Sequence, residues 1–195
     1  MDLLIATTNA HKVRELRALL KGMYDLYSLA DFPKYSPPPE DGKSFEEIAI
    51  AKATAAAKAT QMLTIGEDSG LVVPALHGAP GIYSARFAKI GATDKENRQK
   101  LLKEMESLKG EARFAYFECA IALATPEKLI KCVKGTAEGS VLEEERGGHG
   151  FGYDPLFMKH DYNQTFAELS ENVKNKISHR AKAFQKLLIA LESIR

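Results

Sequence analysis

Leu3-Leu4-Ile5-Ala6-Thr7-Thr8-Asn9-Ala10-His11-Lys12 is the stretch that decides how the chain is to be read. Its first four residues make a short apolar run of the kind a buried strand shows. Thr7, Thr8 and Asn9 then supply capping side chains, and Val13, Leu16, Leu19 and Leu20 recur at helical spacing, which predicts a helix over roughly 10–21. A strand leading directly into a helix is the unit of an α/β fold. At the joint, the first N–H groups of the helix and the positive end of its dipole face outward, which suits phosphate, with Asn9 and Lys12 as added donors. The same residues also suit a plain capped helix, and the glycines and Lys-Ser/Thr pair of a Walker motif are missing.

The rest of the chain extends this pattern. Ser44-Phe45-Glu46-Glu47 reads as a capping box opening an alanine-rich helix to about Thr60, whose small side chains suggest close packing against a sheet. Thr93-Asp94-Lys95-Glu96 reads as a second box, opening a helix to about Leu108. Pro33 to Pro39 is an extended loop, and Gly78-Ala79-Pro80-Gly81 is a turn. A strand begins at Ile65, is expected to break at Glu67-Asp68-Ser69-Gly70, and resumes at Leu71-Val72-Val73. Residues 112–124 and 128–137 look like two long antiparallel strands joined at Thr125-Pro126-Glu127. A closing helix is expected from Lys176 to Ile194, with Ile177, Ala181, Phe184, Leu187, Leu188 and Leu191 on one face. The expectation is an α/β fold: helices on a sheet with long antiparallel strands, loops gathered at a cleft, and one domain over residues 1–195.

Composition narrows the partners. With 27 basic and 26 acidic residues, the net charge of +1 gives no reason to expect non-specific binding to nucleic acid or an anionic membrane. A polyanion would have to bind where a few lysines and arginines are gathered, which favours a small phosphorylated molecule. Cys119 and Cys132 lack any CxxC or Cys/His spacing and read as reduced core or strand residues. Met1 leads straight into an apolar strand rather than a signal peptide, and the longest apolar runs are too short to span a bilayer. The expectation is a cytoplasmic protein.

Further segments carry candidate chemistry. Gly147-Gly148-His149-Gly150-Phe151-Gly152-Tyr153-Asp154-Pro155 packs glycines into a loop whose backbone can approach a ligand closely. Phe151 and Tyr153 can offer a flat face to a base, while Gly152 and Asp154 add polar contacts; a surface turn with a buried aromatic is the plainer alternative. Asp68, beside Glu67 and before Ser69, is a hard oxygen ligand suited to Mg²⁺ and can take a proton from a water. The acidic loop Glu40-Asp41-Gly42 and the helix carrying Lys52 could lend a second carboxylate and an ammonium. Ser178-His179-Arg180 follows Lys174 and Lys176. A basic helix start opposes the dipole, while Arg180 offers a fork of donors for phosphate or a purine edge.

In their number and order these segments resemble the inosine triphosphate pyrophosphatase family. The resemblance runs nearly end to end: Thr7 to Lys12, Glu40-Asp41-Gly42 with Phe45-Glu46-Glu47, Lys52-Ala53, Asp68-Ser69-Gly70, Gly78 to Arg86, Gly150 to Pro155, and Ile177 to Arg180. It implies a long mixed β-sheet with flanking helices forming two lobes around a central substrate cleft, a homodimer, and Mg²⁺-dependent cleavage of ITP, dITP and XTP to monophosphate and pyrophosphate. It further implies that Thr7, Thr8, Asn9, Ala10, His11 and Lys12 hold the phosphates with Lys52, and that Asp68 is the catalytic acid/base. Asp68 and Glu40 would be the metal ligands. Ser69 would touch the substrate, Phe151, Gly152, Tyr153 and Asp154 would hold the nucleoside, and Lys174, His179 and Arg180 would recognise phosphate and base. The chain departs from the family pattern at Thr8, where glycine is common, at Glu67, where aspartate is usual, at His149, where a small residue is frequent, and at Pro39, which replaces a carboxylate.

Overall fold

The computed structural model describes residues 2–20 and 22–194. Met1 and the expected last helical residue at position 21 lie outside the described residues. The opening run folds as β1 (Asp2–Ile5) and α1 (Ala10–Leu20), followed by β2 (Asp25–Ser28), α2 (Phe45–Thr60), β3 (Leu63–Val72) and α3 (Asp94–Glu104). Then come β4 (Phe114–Ala124), β5 (Leu129–Val141), β6 (Phe157–Lys159), β7 (Gln164–Thr165), α4 (Glu171–Ile177) and α5 (His179–Glu192). The described strands form one seven-stranded mixed sheet in the order β2-β1-β3-β4-β5-β6-β7. β1 runs parallel to both β2 and β3, while β6 is antiparallel to β5 and β7. β4 and β5 are neighbours joined by residues 125–128, where the Thr125 N–H donates to the Lys128 carbonyl at 2.9 Å. So short a connection permits only an antiparallel pair. The mixed α/β fold expected from the sequence is the fold observed.

The chain divides into two compact units. The first takes Met1–Asp68, Cys119–Gly135 and Arg180–Arg195; the second takes Ser69–Glu118 and Thr136–His179. β3, β4 and β5 each contribute residues to both. In the first unit Leu3, Ile5, Leu16, Leu20, Ile65, Ile121, Phe184 and Leu187 form a buried apolar cluster, so the helical faces read from the sequence do point into a core. In the second, Leu71, Leu101, Phe117, Leu156, Phe157 and Phe166 do the same.

The alanine-rich α2 lies close against β3, as its composition suggests. Ala49, Ala53, Ala56 and Ala57 are fully buried. A Cβ on Gly66 would stand 2.2 Å from the Ala49 carbonyl oxygen and 2.5 Å from the Ala53 nitrogen, so only glycine permits this approach. The approach matters because it brings Lys52 of α2 up to Asp68 of β3.

Four local expectations are corrected. β3 runs unbroken through Glu67-Asp68-Ser69-Gly70, because the charges that make this look like a turn are met inside the fold. Ser44 caps α2 by accepting from the Glu47 N–H at 3.2 Å, but Glu47 answers to the Lys43 N–H at 2.8 Å, so the box is displaced by one residue. α3 ends at Glu104 rather than near Leu108. The closing helix is interrupted at Ser178, whose extended backbone (ψ 159°) separates α4 from α5. Around Thr93 the capping box forms as read, with both reciprocal bonds present.

Candidate functional site

In the first unit the β1–α1 joint is organised by its own side chains. The Asn9 Oδ1 accepts from the His11 and Lys12 N–H groups at 3.0 and 3.2 Å, capping α1, and Thr7 Oγ1 accepts from the Asn9 N–H at 3.1 Å. Thr8, Asn9, Ala10 and His11 remain exposed. Lys12, from the first turn of α1, reaches back to Glu67 Oε2 at 2.7 Å.

Glu67 is the hub of this unit. It is buried, and besides Lys12 it accepts from Arg180 Nη2 at 3.0 Å and from the Cys119 thiol at 3.2 Å. Arg180, supplied by the first turn of α5, is 1% exposed and gives its other terminal nitrogen to Glu15. Two carboxylates therefore face two cations, which is what lets charge sit in an apolar core. Burial works against the Arg180 charge, but Glu67 and Glu15 outweigh it and hold its pKa above the ordinary value. Burial and the nearby Glu67 push the Cys119 thiol well up, so it serves as a neutral donor and not as a nucleophile.

Adjacent residues of a strand point to opposite faces, so Asp68 meets a different set of groups. Its Oδ1 lies 2.9 Å from Lys52 Nζ, and the same ammonium lies 2.5 Å from Glu40 Oε1. The structure thus gathers Glu40, Lys52 and Asp68 around one position. Burial raises the Asp68 pKa despite Lys12 and Lys52, while for Lys52 burial is outweighed by Asp68 and Glu40 and the ammonium is stabilised. Two carboxylates converging on one cation fit Mg²⁺, which takes one or two carboxylates and completes its octahedron with water and phosphate oxygens. Among the described residues no group of three or more His, Cys, Asp or Glu forms an all-protein metal cage.

In the second unit Ser69 and Gly70 continue β3. A Cβ on Gly70 would stand 2.4 Å from Ser84 Oγ, and that hydroxyl accepts from the Leu71 N–H at 3.0 Å while donating to the Gly81 carbonyl at 2.6 Å. The Tyr153 hydroxyl donates to the Ser84 carbonyl at 2.9 Å. Tyr153 is thereby buried, with its hydroxyl pKa raised chiefly by burial, so Phe151 is the aromatic of this loop that stays partly exposed. Asp154 Oδ2 accepts from the Phe151 N–H at 2.9 Å and from Lys174 Nζ at 2.6 Å. The Lys174 ammonium also sits 5.0 Å from the centre of the Phe151 ring. His179 is buried and stacked on Phe117, with centroids 4.7 Å apart and planes 11° from parallel. Thus Phe151, Gly152, Tyr153, Asp154 and Lys174 do come together, while His179 lies within the aromatic core.

Sequence reading did not anticipate the roles of Glu15, Glu67 and Cys119. Glu15 stands three residues after Lys12, on the same helical face, and Glu67 alternates with the apolar residues of β3; those were the available signals. Nothing marked Cys119 beyond its apolar surroundings.

A family model described as the Ham1 family matches residues 3–190. The chain is 53% identical to a protein of Protochlamydia amoebophila named dITP/XTP pyrophosphatase, over the whole of both chains. It is 51% identical to a protein of the same name from Chlamydia caviae, covering 100% of this chain and 96% of that one. Among solved structures, a HAM1 protein from Coxiella burnetii superimposes with a TM-score of 0.89 at 36% identity, covering 99% of each chain. The Ham1 protein of Staphylococcus aureus superimposes with a TM-score of 0.88 at 37% identity, over all of both chains.

Proposed function

This chain belongs to the Ham1 family, and we propose that it is a Mg²⁺-dependent nucleoside-triphosphate pyrophosphatase. It hydrolyses ITP, dITP and XTP to the monophosphate and pyrophosphate, and so removes these non-standard purines from the nucleotide pool. The observation that carries this is the end-to-end likeness to relatives named for the activity. A single family model over residues 3–190 supports reading 1–195 as one pyrophosphatase domain.

In this reading Thr7, Thr8, Asn9, Ala10, His11, Lys12 and Lys52 hold the phosphates. The positive end of the α1 dipole and the two ammonium groups supply positive potential there. Asp68 takes a proton from the attacking water, whose oxygen bonds to the α-phosphorus as the bond to the pyrophosphate leaving oxygen breaks. A raised pKa for Asp68 suits an acid/base group. Glu40 and Asp68 would hold Mg²⁺, which when bound supplies neutralisation of the triphosphate and of the charge on the departing pyrophosphate. Ser69 contacts the substrate, and Phe151, Gly152, Tyr153 and Asp154 hold the nucleoside, with the ring of Phe151 as stacking face. Lys174 and Arg180 recognise phosphate and base, Arg180 with its guanidinium oriented by Glu15 and Glu67, while His179 backs them from the aromatic core.

The protein acts on free nucleotides in the cytoplasm as a homodimer, with no nucleic-acid or membrane partner. Near-neutral net charge supports the last point, and the exposed Tyr83 and Ile90 offer apolar surface for a second copy. Among the described residues no helix is long and apolar enough to cross a membrane. The test is a turnover screen over purine and pyrimidine triphosphates that separates pyrophosphate from orthophosphate. Monophosphate and pyrophosphate from ITP, dITP and XTP, far in excess of ATP and GTP, are expected. Orthophosphate release, binding without turnover, or preference for a pyrimidine would overturn the proposal.

A further inference from the structure

The loop that carries Phe151 is gripped from a helix to which the proposed mechanism gives no part. Asp94, the first residue of α3, accepts the Gly152 N–H on its Oδ2 at 2.7 Å. One turn further, Arg98 donates from Nη1 to the Gly152 carbonyl at 2.8 Å, and its Nε is fixed by Glu145 Oε1 at 2.8 Å. The two residues share a helical face by their spacing of four, so both reach the same target.

Their target is unusual in being held at both ends. The Gly152 N–H belongs to the peptide that follows Phe151, and the Gly152 carbonyl to the peptide that precedes Tyr153. Together the two bonds fix the orientation of both peptide planes around one residue. Gly152 has a left-handed φ of 60° and no heavy atom within 4 Å of the place where a Cβ would stand. Nothing packs where a side chain would stand, and the contacts that tie this residue to α3 are the two hydrogen bonds. On the other side of Phe151, Asp154 captures the Phe151 N–H. The phenyl ring is thus carried on backbone whose polar groups are secured before and after it.

We propose that Asp94 and Arg98 are positioning residues for the nucleoside: a clamp on Gly152 that holds the Phe151 ring ready for stacking. This rests on the reading that residues 151–154 hold the nucleoside. Both side chains act through the loop and set how well it is ordered before substrate arrives, so they govern affinity and leave the chemical step alone. Asp94 is exposed and Thr93 with Glu96 caps α3 without it, so its loss leaves the helix formed.

The experiment compares wild type, Asp94→Ala, Asp94→Asn and Arg98→Met, with Lys95→Ala on the same turn as control. KM and kcat for ITP are measured beside amide hydrogen exchange of the 147–155 segment in the free protein. Charged hydrogen bonds of this kind correspond to roughly ten- to a hundred-fold in an equilibrium constant. Asp94→Ala and Arg98→Met should raise KM by about ten-fold or more, keep kcat within about three-fold, and speed exchange in the loop. Asp94→Asn retains an acceptor oxygen and should restore both readouts, and Lys95→Ala should alter neither. An unchanged KM and exchange pattern overturns the clamp, as does a fall in kcat at constant KM, or an Asp94→Asn that behaves like Asp94→Ala. If wild type fails to turn over ITP, the functional proposal falls, and the exchange rates still decide whether Asp94 and Arg98 order the loop.

Discussion

The first unit buries charge against charge, whereas the second buries one ammonium–carboxylate pair among aromatic rings. Around Glu67 stand Lys12, Arg180 and the Cys119 thiol, with Glu15 closing the network on Arg180. Around Asp154 stand Lys174 and the Phe151 N–H, and Lys174 lies near the rings of Phe151 and Phe166. A charge network is stiff, because moving one member leaves another charge uncompensated in low dielectric. An ammonium over rings has softer, less directional support. The first environment suits the fixed spacing of phosphates, and the second suits a flat, weakly polar base.

The largest expected effects lie in the charged region. Excess chelator should abolish turnover and Mg²⁺ should restore it, with Ca²⁺ a poor substitute because it takes longer, looser coordination. Full activity in chelator would mean that lysines alone neutralise the triphosphate. Asp68→Asn should keep the fold and nucleotide binding while losing on the order of 10² to 10⁴ in kcat, the usual contribution of a positioned base. Single-turnover measurement at saturating ITP checks this, and near-native rates would remove Asp68 from the chemistry.

Next comes the stability contrast. Glu67→Gln leaves Lys12 and Arg180 without their shared counter-charge, and breaking such a buried pair costs about 3–5 kcal/mol. Asp154→Asn strips the counter-charge from Lys174 alone, whose ring contacts persist, so the loss should be smaller. Denaturant unfolding of both variants gives the comparison. Equal losses would mean that the two environments hold charge in the same way.

How much of this was legible follows the range of the interactions. Asn9 capping α1 and Thr93 with Glu96 capping α3 are local devices, and they read correctly because their partners are two or three residues away; the packing of α2 read correctly because its run of alanines is itself the signal. β3 read as broken because the four residues at 67–70 look like a turn by themselves; their partners Lys12, Lys52, Cys119 and Arg180 come from distant segments. The same limit applies to Arg180. From its position it read as a group open to phosphate or a purine edge, and burial against Glu15 and Glu67 was invisible without the fold. β6 and β7 are too short to show alternation, and Asp94 and Arg98 look like an ordinary polar helix face.

The smallest of these effects tests the softer region. Phe151 is partly exposed, carried on secured backbone, and bounded by the Lys174 ammonium on its ring. Stacking of a base on an aromatic side chain is worth about 1–3 kcal/mol by alanine substitution. Phe151→Ala should therefore raise KM for ITP by roughly five- to a hundred-fold, with kcat little altered, since no charge near Asp68 is touched. Because every base has a π-face, KM for ATP should rise by a similar factor, leaving the ratio of kcat/KM between ITP and ATP nearly unchanged. Arg180→Ala makes the contrasting case: if Arg180 meets the six-keto oxygen of inosine, that ratio shrinks, because adenine presents a donor there. Steady-state kinetics with both nucleotides in both variants separates the roles. A ratio that collapses in Phe151→Ala would move base discrimination into the aromatic loop, and a ratio unmoved in Arg180→Ala would confine Arg180 to holding the charged network and its phosphates.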